Sequence, residues 1–127
     1  LEAAMKIGAE AKKYAEANNA PGGAIAIVDA GGNLIYLIRL TGTFPAASKV
    51  SEGKARTAAL FRFPSKKLED AVIGGRTSLN TTGFNLLRGG IPIMYKGKVV
   101  GGIGVSGAAS ADQDVEIAEA GAKVIFD

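Results

Sequence analysis

An α/β fold of the α+β kind, with an antiparallel sheet of four or five strands and helices on both faces, is predicted by three features of this sequence. Two apolar runs, Ala24-Ile25-Ala26-Ile27-Val28 and Leu34-Ile35-Tyr36-Leu37-Ile38, bracket a glycine-rich turn, as the strands of a hairpin do. A second pair of strand-like runs lies between Gly89 and Gly107 and meets at Lys96-Gly97. Both ends of the chain carry apolar residues at steps of three and four, the spacing of amphipathic helices. The predicted order is α-β-β-α-α-loop-β-β-α, a single domain over residues 1–127 with no internal repeat.

The first helix is predicted from Leu1, Ala4, Met5, Gly8, Ala11 and Ala15, and Asn18-Asn19-Ala20-Pro21-Gly22 ends it. The first hairpin turns at Asp29-Ala30-Gly31-Gly32-Asn33. In its second strand Leu34, Tyr36 and Ile38 point one way and Ile35 and Leu37 the other, so both faces need cover from helices or from another subunit. A helix follows from about Ala46 to Phe61, closed by Pro64, and a shorter one from Ser65 to Val72. Gly74 to Gly83 reads as a loop, a candidate for a mobile or ligand-facing segment. After the second hairpin, Ser110 with Gln113 forms a capping-box pattern, and Asp112 and Asp114 sit where a helix dipole favours acids. The last helix is expected to bury Val115, Ala118, Ala122 and Ile125.

Composition removes whole classes of chemistry. The chain has 127 residues, and its 47% hydrophobic content is enough for one packed core. Cysteine is absent, so disulfides, thiolate nucleophiles and zinc-thiolate sites are excluded, and histidine is absent as well. General acid–base work would therefore need a shifted carboxylate, Lys or Tyr. No run approaches 18 apolar residues and none has a signal-peptide layout, so a soluble, cytoplasmic protein without a membrane partner is expected. Leu1 stands first, so an initiator Met is expected outside this sequence, and a removed leader is left open.

The net charge of +3 is unevenly spread. Between Arg39 and Lys67 seven cations face one acid, Glu52, a net of +6 that would attract a phosphate or carboxylate. No nucleic-acid reader pattern accompanies this belt, so no nucleic-acid partner is expected, and a solvated helix face is its default reading. Gly102-Ile103-Gly104-Val105-Ser106-Gly107 spells the dinucleotide fingerprint G-x-G-x-x-G, yet the fingerprint needs a βαβ unit with an acid about 20 residues on, on a second parallel strand. The acid at that distance is Asp127, the last residue, with no strand to carry it. We read these glycines instead as permitting another backbone, a helix or a flat ligand to approach the sheet.

Four stretches, Val28 to Leu34 with Arg39 five residues on, Lys54 to Phe61, Gly89-Gly90-Ile91-Pro92-Ile93, and Val100 to Gly107, together resemble the GlcG/HbpS family. This is the haem-binding-protein-like domain also found at the C-terminus of PduO-type corrinoid adenosyltransferases. The resemblance extends to Asp114-Val115-Glu116-Ile117-Ala118-Glu119-Ala120-Gly121 and covers nearly the whole chain. It implies a profilin-like sheet, assembly into a homo-oligomer, and haem or another tetrapyrrole as the ligand. This sequence departs from the family pattern in having no His and in carrying Thr41 where an Asp commonly follows the matched Arg by two residues.

Candidate ligand-binding residues follow from both readings. Arg39 and Lys54, which the resemblance covers, would hold propionates or a small carboxylate, and Lys49, Gly53 and Arg56 fall on one helical face with Lys54 beside it. Gly89 and Gly90 mark a close approach, and Asp114 and Glu116 are pocket or interface groups. Met94 and Tyr95 are the soft and phenolate donors of the second hairpin, of which adjacent strand positions let one at most serve. Asp112, Asp114 and Glu116 are two apart on a helix and do not converge, so no metal site is expected. Two further functions stay open: a cofactor-free enzyme on a small carboxylate, with Arg39 as anchor and Lys54 or Asp114 moving the proton, and an accessory subunit of an oxidoreductase or adenosyltransferase.

Overall fold

The computed structural model describes residues 1–125. Its elements are α1 (Glu2–Ala17), β1 (Ala24–Asp29), β2 (Leu34–Arg39), α2 (Ala47–Phe61), α3 (Lys66–Ile73), a 3₁₀ turn at Thr77–Thr82, β3 (Gly90–Tyr95), β4 (Lys98–Ser106) and α4 (Ala111–Ala122). Four strands form one antiparallel sheet in the order β2-β1-β4-β3, so the expected fold class and element order hold.

Every residue from Ala24 to Val28 is buried because β1 is central and helices lie on both sides of it. On one side α1 and α4 close the main core, in which Ile25, Ile103 and Ile117 are fully buried. Each such side chain contributes about 1.5–3 kcal/mol by leaving water. On the other side α2 sets Ala55 and Ala59 against Ala26 and Val28. The predicted split of β2 holds from Tyr36 to Ile38, with Tyr36 and Ile38 joining the α1 core and Leu37 the α2 core, but the bulge opposite Ile27 and Val28 breaks the alternation and sets Ile35 beside Leu1, Ala4 and Ile7 on the α1 side. β4 alternates in the same way, with Ile103 and Val105 toward α1 and α4 and Gly102 and Gly104 toward α2.

The glycine-rich motif is thereby explained. A Cβ on Gly104 would fall on the Ser51 carbonyl, and one on Gly102 on the Ala55 carbonyl, so α2 lies directly on the backbone of β4. The helix after Gly107 ends at Ala122 rather than running to the chain end, and Asp127 lies outside the described residues. Lys96 and Gly97 turn the second hairpin at φ 50° and 78°, both in the left-handed region that a two-residue type I′ turn requires.

Several expectations are corrected. On α1, Leu1 and Met5 are exposed and Ile7 takes the core position, since Ala4, Ile7, Ala11 and Ala15 keep one face. On α4, Asp114, Ile117, Ala118 and Gly121 face inward, Val115 and Ala122 are only half-buried, and Ile125 lies beyond the helix, exposed. The predicted Gly74–Gly83 loop holds a 3₁₀ turn, its Thr81 and Thr82 hydroxyls donating to the Ser78 and Leu79 carbonyls. α2 is ended by Arg62 in the left-handed conformation, before Pro64 is reached. In the capping box, Ser110 Oγ accepts from Gln113 N–H at 3.0 Å as expected, but Gln113 Oε1 reaches one residue further back, to Ala109 N–H at 2.7 Å.

The segment before β3 is clasped by one guanidinium. Arg88 donates to Glu69 at 2.5 Å, Asp112 at 2.8 Å and Asp70 at 3.4 Å, tying α3 to the first turn of α4. Because these groups meet water, the clasp is expected to weaken with salt. Arg88→Ala should lower the melting temperature in dilute buffer and lower it much less at 1 M salt; equal losses at both ionic strengths would show that packing, not charge, matters here.

Candidate functional site

The sequence-derived candidates separate into three places. The first is inside the protein. Lys54 (3% exposed) projects from α2 toward the end of β4 and the start of α4. Its Nζ donates to Val105 O at 2.8 Å and to Asp114 Oδ2 at 3.3 Å, while Asp114 Oδ1 accepts from Ala108 N–H at 3.0 Å. Gly89 and Gly90 complete this place. A Cβ on Gly89, at φ +126°, would come within 2.9 Å of the Lys54 Nζ, and one on Gly90 would fall on the Lys54 carbonyl. Burial pushes the Lys54 amine down and the Asp114 carboxyl up, and each partner's charge opposes the other's shift. Four predicted residues, Lys54, Gly89, Gly90 and Asp114, are therefore together. They fasten α2, β3, β4 and α4 to one another, and Lys54 does not share a surface pocket with Arg39.

The second place is a surface cavity of about 370 Å³ between the C-terminal half of α1 and the end of β2. Arg39 is here, with Lys12 and Glu16 from α1, Ile38 and Leu40 from β2 and its end, and Thr41. Lys12 and Glu16, four residues apart, share one helix face. The loop beyond is held in shape by Thr43, whose Oγ1 accepts from Gly23 N–H at 2.9 Å and donates to Leu40 O at 2.5 Å. Lys12 and Glu16 went unnoticed in the sequence because they read as an ordinary solvated helix face, and their i, i+4 spacing was the one available signal. Thr41, at the position that departs from the family pattern, lines this cavity.

Met94 and Tyr95 occupy the third place, a cavity of about 390 Å³ by the β3–β4 turn and the end of α4. Met94 is exposed, and the Lys96 ammonium lies 5.3 Å from the centre of the Tyr95 ring. β4 runs from Lys98, beside Tyr95, to Ser106, whose strand partner Ala24 pairs with Arg39, so these donors and the Arg39 cavity lie at opposite ends of the sheet. Lys49, Arg56 and Glu116 join none of the three places. Lys49 and Glu116 are exposed, and Arg56 lies over the Phe84 ring at 5.1 Å. The expected common face of Lys49, Gly53 and Arg56 is interrupted at Gly53, which packs on Asn85.

Fold and cavities define a helix-flanked antiparallel α+β domain with a recess at one end of its sheet lined by two cations, one acid and the apolar Ile38 and Leu40. A family model described as haem degrading protein HbpS-like matches residues 1–123, and the chain belongs to that family. It is 42% identical to protein GlcG of Escherichia coli K12 over 83 residues, 65% of this chain and 62% of GlcG, so it spans less than two thirds of that relative. It is 34% identical over 122 residues to an uncharacterized 15.0 kDa protein of Citrobacter freundii from the dhaT-dhaS intergenic region, covering 87% of this chain and 85% of the other. The crystal structure of HbpS superimposes with a TM-score of 0.89 at 36% identity, covering 99% of this chain and 89% of that one.

Proposed function

We propose that this chain binds an acidic, partly apolar small molecule in the Arg39 cavity, with haem as the first candidate. The observation that carries the reading is the pairing of two cations, Lys12 and Arg39, with the apolar Ile38 and Leu40 in one recess. Its volume falls within the range of small-molecule sites. The family description supports haem in particular. The residues suit it in part: Arg39 and Lys12 would hold propionates, whereas the Glu16 carboxylate in the same recess would oppose them. Bound haem would supply an iron centre, a redox function these side chains lack. The cofactor-free enzyme reading has less support, because Lys54 and Asp114, 3% and 6% exposed, are held by each other and by backbone rather than by a substrate.

Haem titration followed in the visible range tests the site. We expect weak binding without a bis-nitrogenous low-spin spectrum, since the chain has no His. A charge-assisted contact is worth about 1.5–3 kcal/mol, so Arg39→Glu should weaken binding roughly 10- to 100-fold. Its melting temperature should barely move, because an exposed cation contributes little to folding. Met94→Ala should leave the titration unchanged. Affinity that survives Arg39→Glu but is lost in Met94→Ala would move the site to the other end of the sheet. A wild-type chain that leaves the haem spectrum unaltered would overturn haem as the ligand.

A further inference from the structure

The Arg39 recess holds charges of both signs, and none of them is answered from within the protein. Lys12, Glu16 and Arg39 all line it, yet among the described residues their side chains form no hydrogen bond and no ion pair. Charges elsewhere in the chain are paired where neighbours allow it. Lys66 and Asp70, with the same order and spacing along a helix as Lys12 and Glu16, are joined at 2.6 Å. Glu16 also stands where a helix does not favour an acid. It is the last residue but one of α1, whose final turn holds no basic residue, and the carbonyls there leave a partial negative charge that favours a cation. Glu16 and the end of α1 thus form a cation-attracting spot beside two cations, with Ile38 and Leu40 as the apolar surface of the same recess.

We propose that Glu16 makes this recess selective for a zwitterion, a small amino acid whose carboxylate meets Arg39 and Lys12, whose ammonium meets Glu16 and the end of α1, and whose apolar side chain lies on Ile38 and Leu40. A ligand with carboxylates alone leaves Glu16 facing like charge, and one with an amine alone leaves two cations unanswered. Only the zwitterion satisfies all three groups. The cavity of about 370 Å³ has room for a molecule of that size. Resting on the reading of this recess as a carboxylate site, the assignment adds the amine as a second requirement. Haem carries propionates and no amine, so Glu16 is expected to act in opposite directions on the two ligands.

Calorimetric titration with phenylalanine, phenylpropionate and phenethylamine, which share one ring and differ in charge, tests the requirement. Wild type should take phenylalanine roughly tenfold more tightly than either of the others, the low end for a hydrogen bond to a charged group because Glu16 is exposed. Glu16→Gln should remove that advantage and tighten the binding of phenylpropionate and of haem. Since Glu16 has no partner in the protein, this variant should melt no lower than wild type; a clear fall would assign Glu16 to the fold and overturn the proposal. It would equally be overturned by a wild type that takes phenylpropionate as tightly as phenylalanine, by a preference for phenylalanine that survives Glu16→Gln, or by no heat with any of the three. Arg39→Glu separates the underlying reading from this one. It should weaken phenylalanine and phenylpropionate alike, and undiminished affinity for both would remove Arg39 as the carboxylate anchor whatever Glu16 does.

Discussion

Lys54→Met is expected to cost about 3–5 kcal/mol of folding stability, because it strips the partner from a buried carboxylate at Asp114. Asp114→Asn should cost a similar amount from the other side, and either loss lowers the melting temperature by on the order of 10 °C or more. The double variant Lys54→Met/Asp114→Leu should recover most of the stability, since the buried pair is held against a desolvation penalty that apolar side chains do not incur. Acidity supplies a further check. Burial already pulls the Lys54 pKa below 10.5, and Asp114 is the main group opposing that shift. In Asp114→Asn the amine will therefore shed its proton at still lower pH in the folded state than in the unfolded one. Between that lowered pKa and 10.5 the unfolded chain holds more protons, so the variant's stability must rise with pH. Melts of Asp114→Asn between pH 7 and pH 10 should climb relative to wild type. Single variants that each lose less than about 1 kcal/mol would show that water reaches the pair.

The same pair marks the limit of what could be read in the sequence. Strands and helices were legible because their signals are local: the Gly31-Gly32 and Lys96-Gly97 turns, the 3.6-residue periodicities, and Ser110 as an N-cap. The glycines of β4 were legible as close-approach positions, but not as the seat of α2, because the partner backbone lies about 50 residues away. Lys54 was singled out correctly as unusual and misjudged in kind. A lysine in a basic belt looks like a surface cation, and nothing within a helical turn reveals an aspartate 60 residues on. Arg39 was found through the family pattern, whereas Lys12 and Glu16 are common on any solvated helix and gain meaning only once α1 is laid over the end of β2. Met94 and Tyr95 were grouped with the cations by chemistry, and the length of β4 separates them.

Gly104→Ala is expected to cost more than about 4 kcal/mol and to compete with Lys54→Met as the most damaging single change. The new methyl would have to occupy the position of the Ser51 carbonyl and the Ala55 amide, both backbone atoms of α2, with the Ala55 Cα only 3.1 Å away. No rotamer relieves such a clash, so α2 must lift from β4, opening the Ala26, Val28, Ala55 and Ala59 contacts. Gly102→Ala should act alike, since its methyl meets the Ala55 carbonyl and the Ala59 amide at 3.1 Å. Gly53→Ala separates crowding from the mere loss of glycine. On the same helix its methyl meets only Asn85, whose Cβ lies 3.0 Å away, so the Asn85 segment need give by only a few tenths of an ångström and α2 keeps its seat on the sheet. Helix propensity then favours alanine by about 1 kcal/mol, so Gly53→Ala should fall within about 1 kcal/mol of wild type. Urea unfolding of the three variants measures the contrast. If Gly104→Ala were as stable as Gly53→Ala, the tight seat of α2 on β4, and with it the explanation given for the G-x-G-x-x-G run, would have to be abandoned.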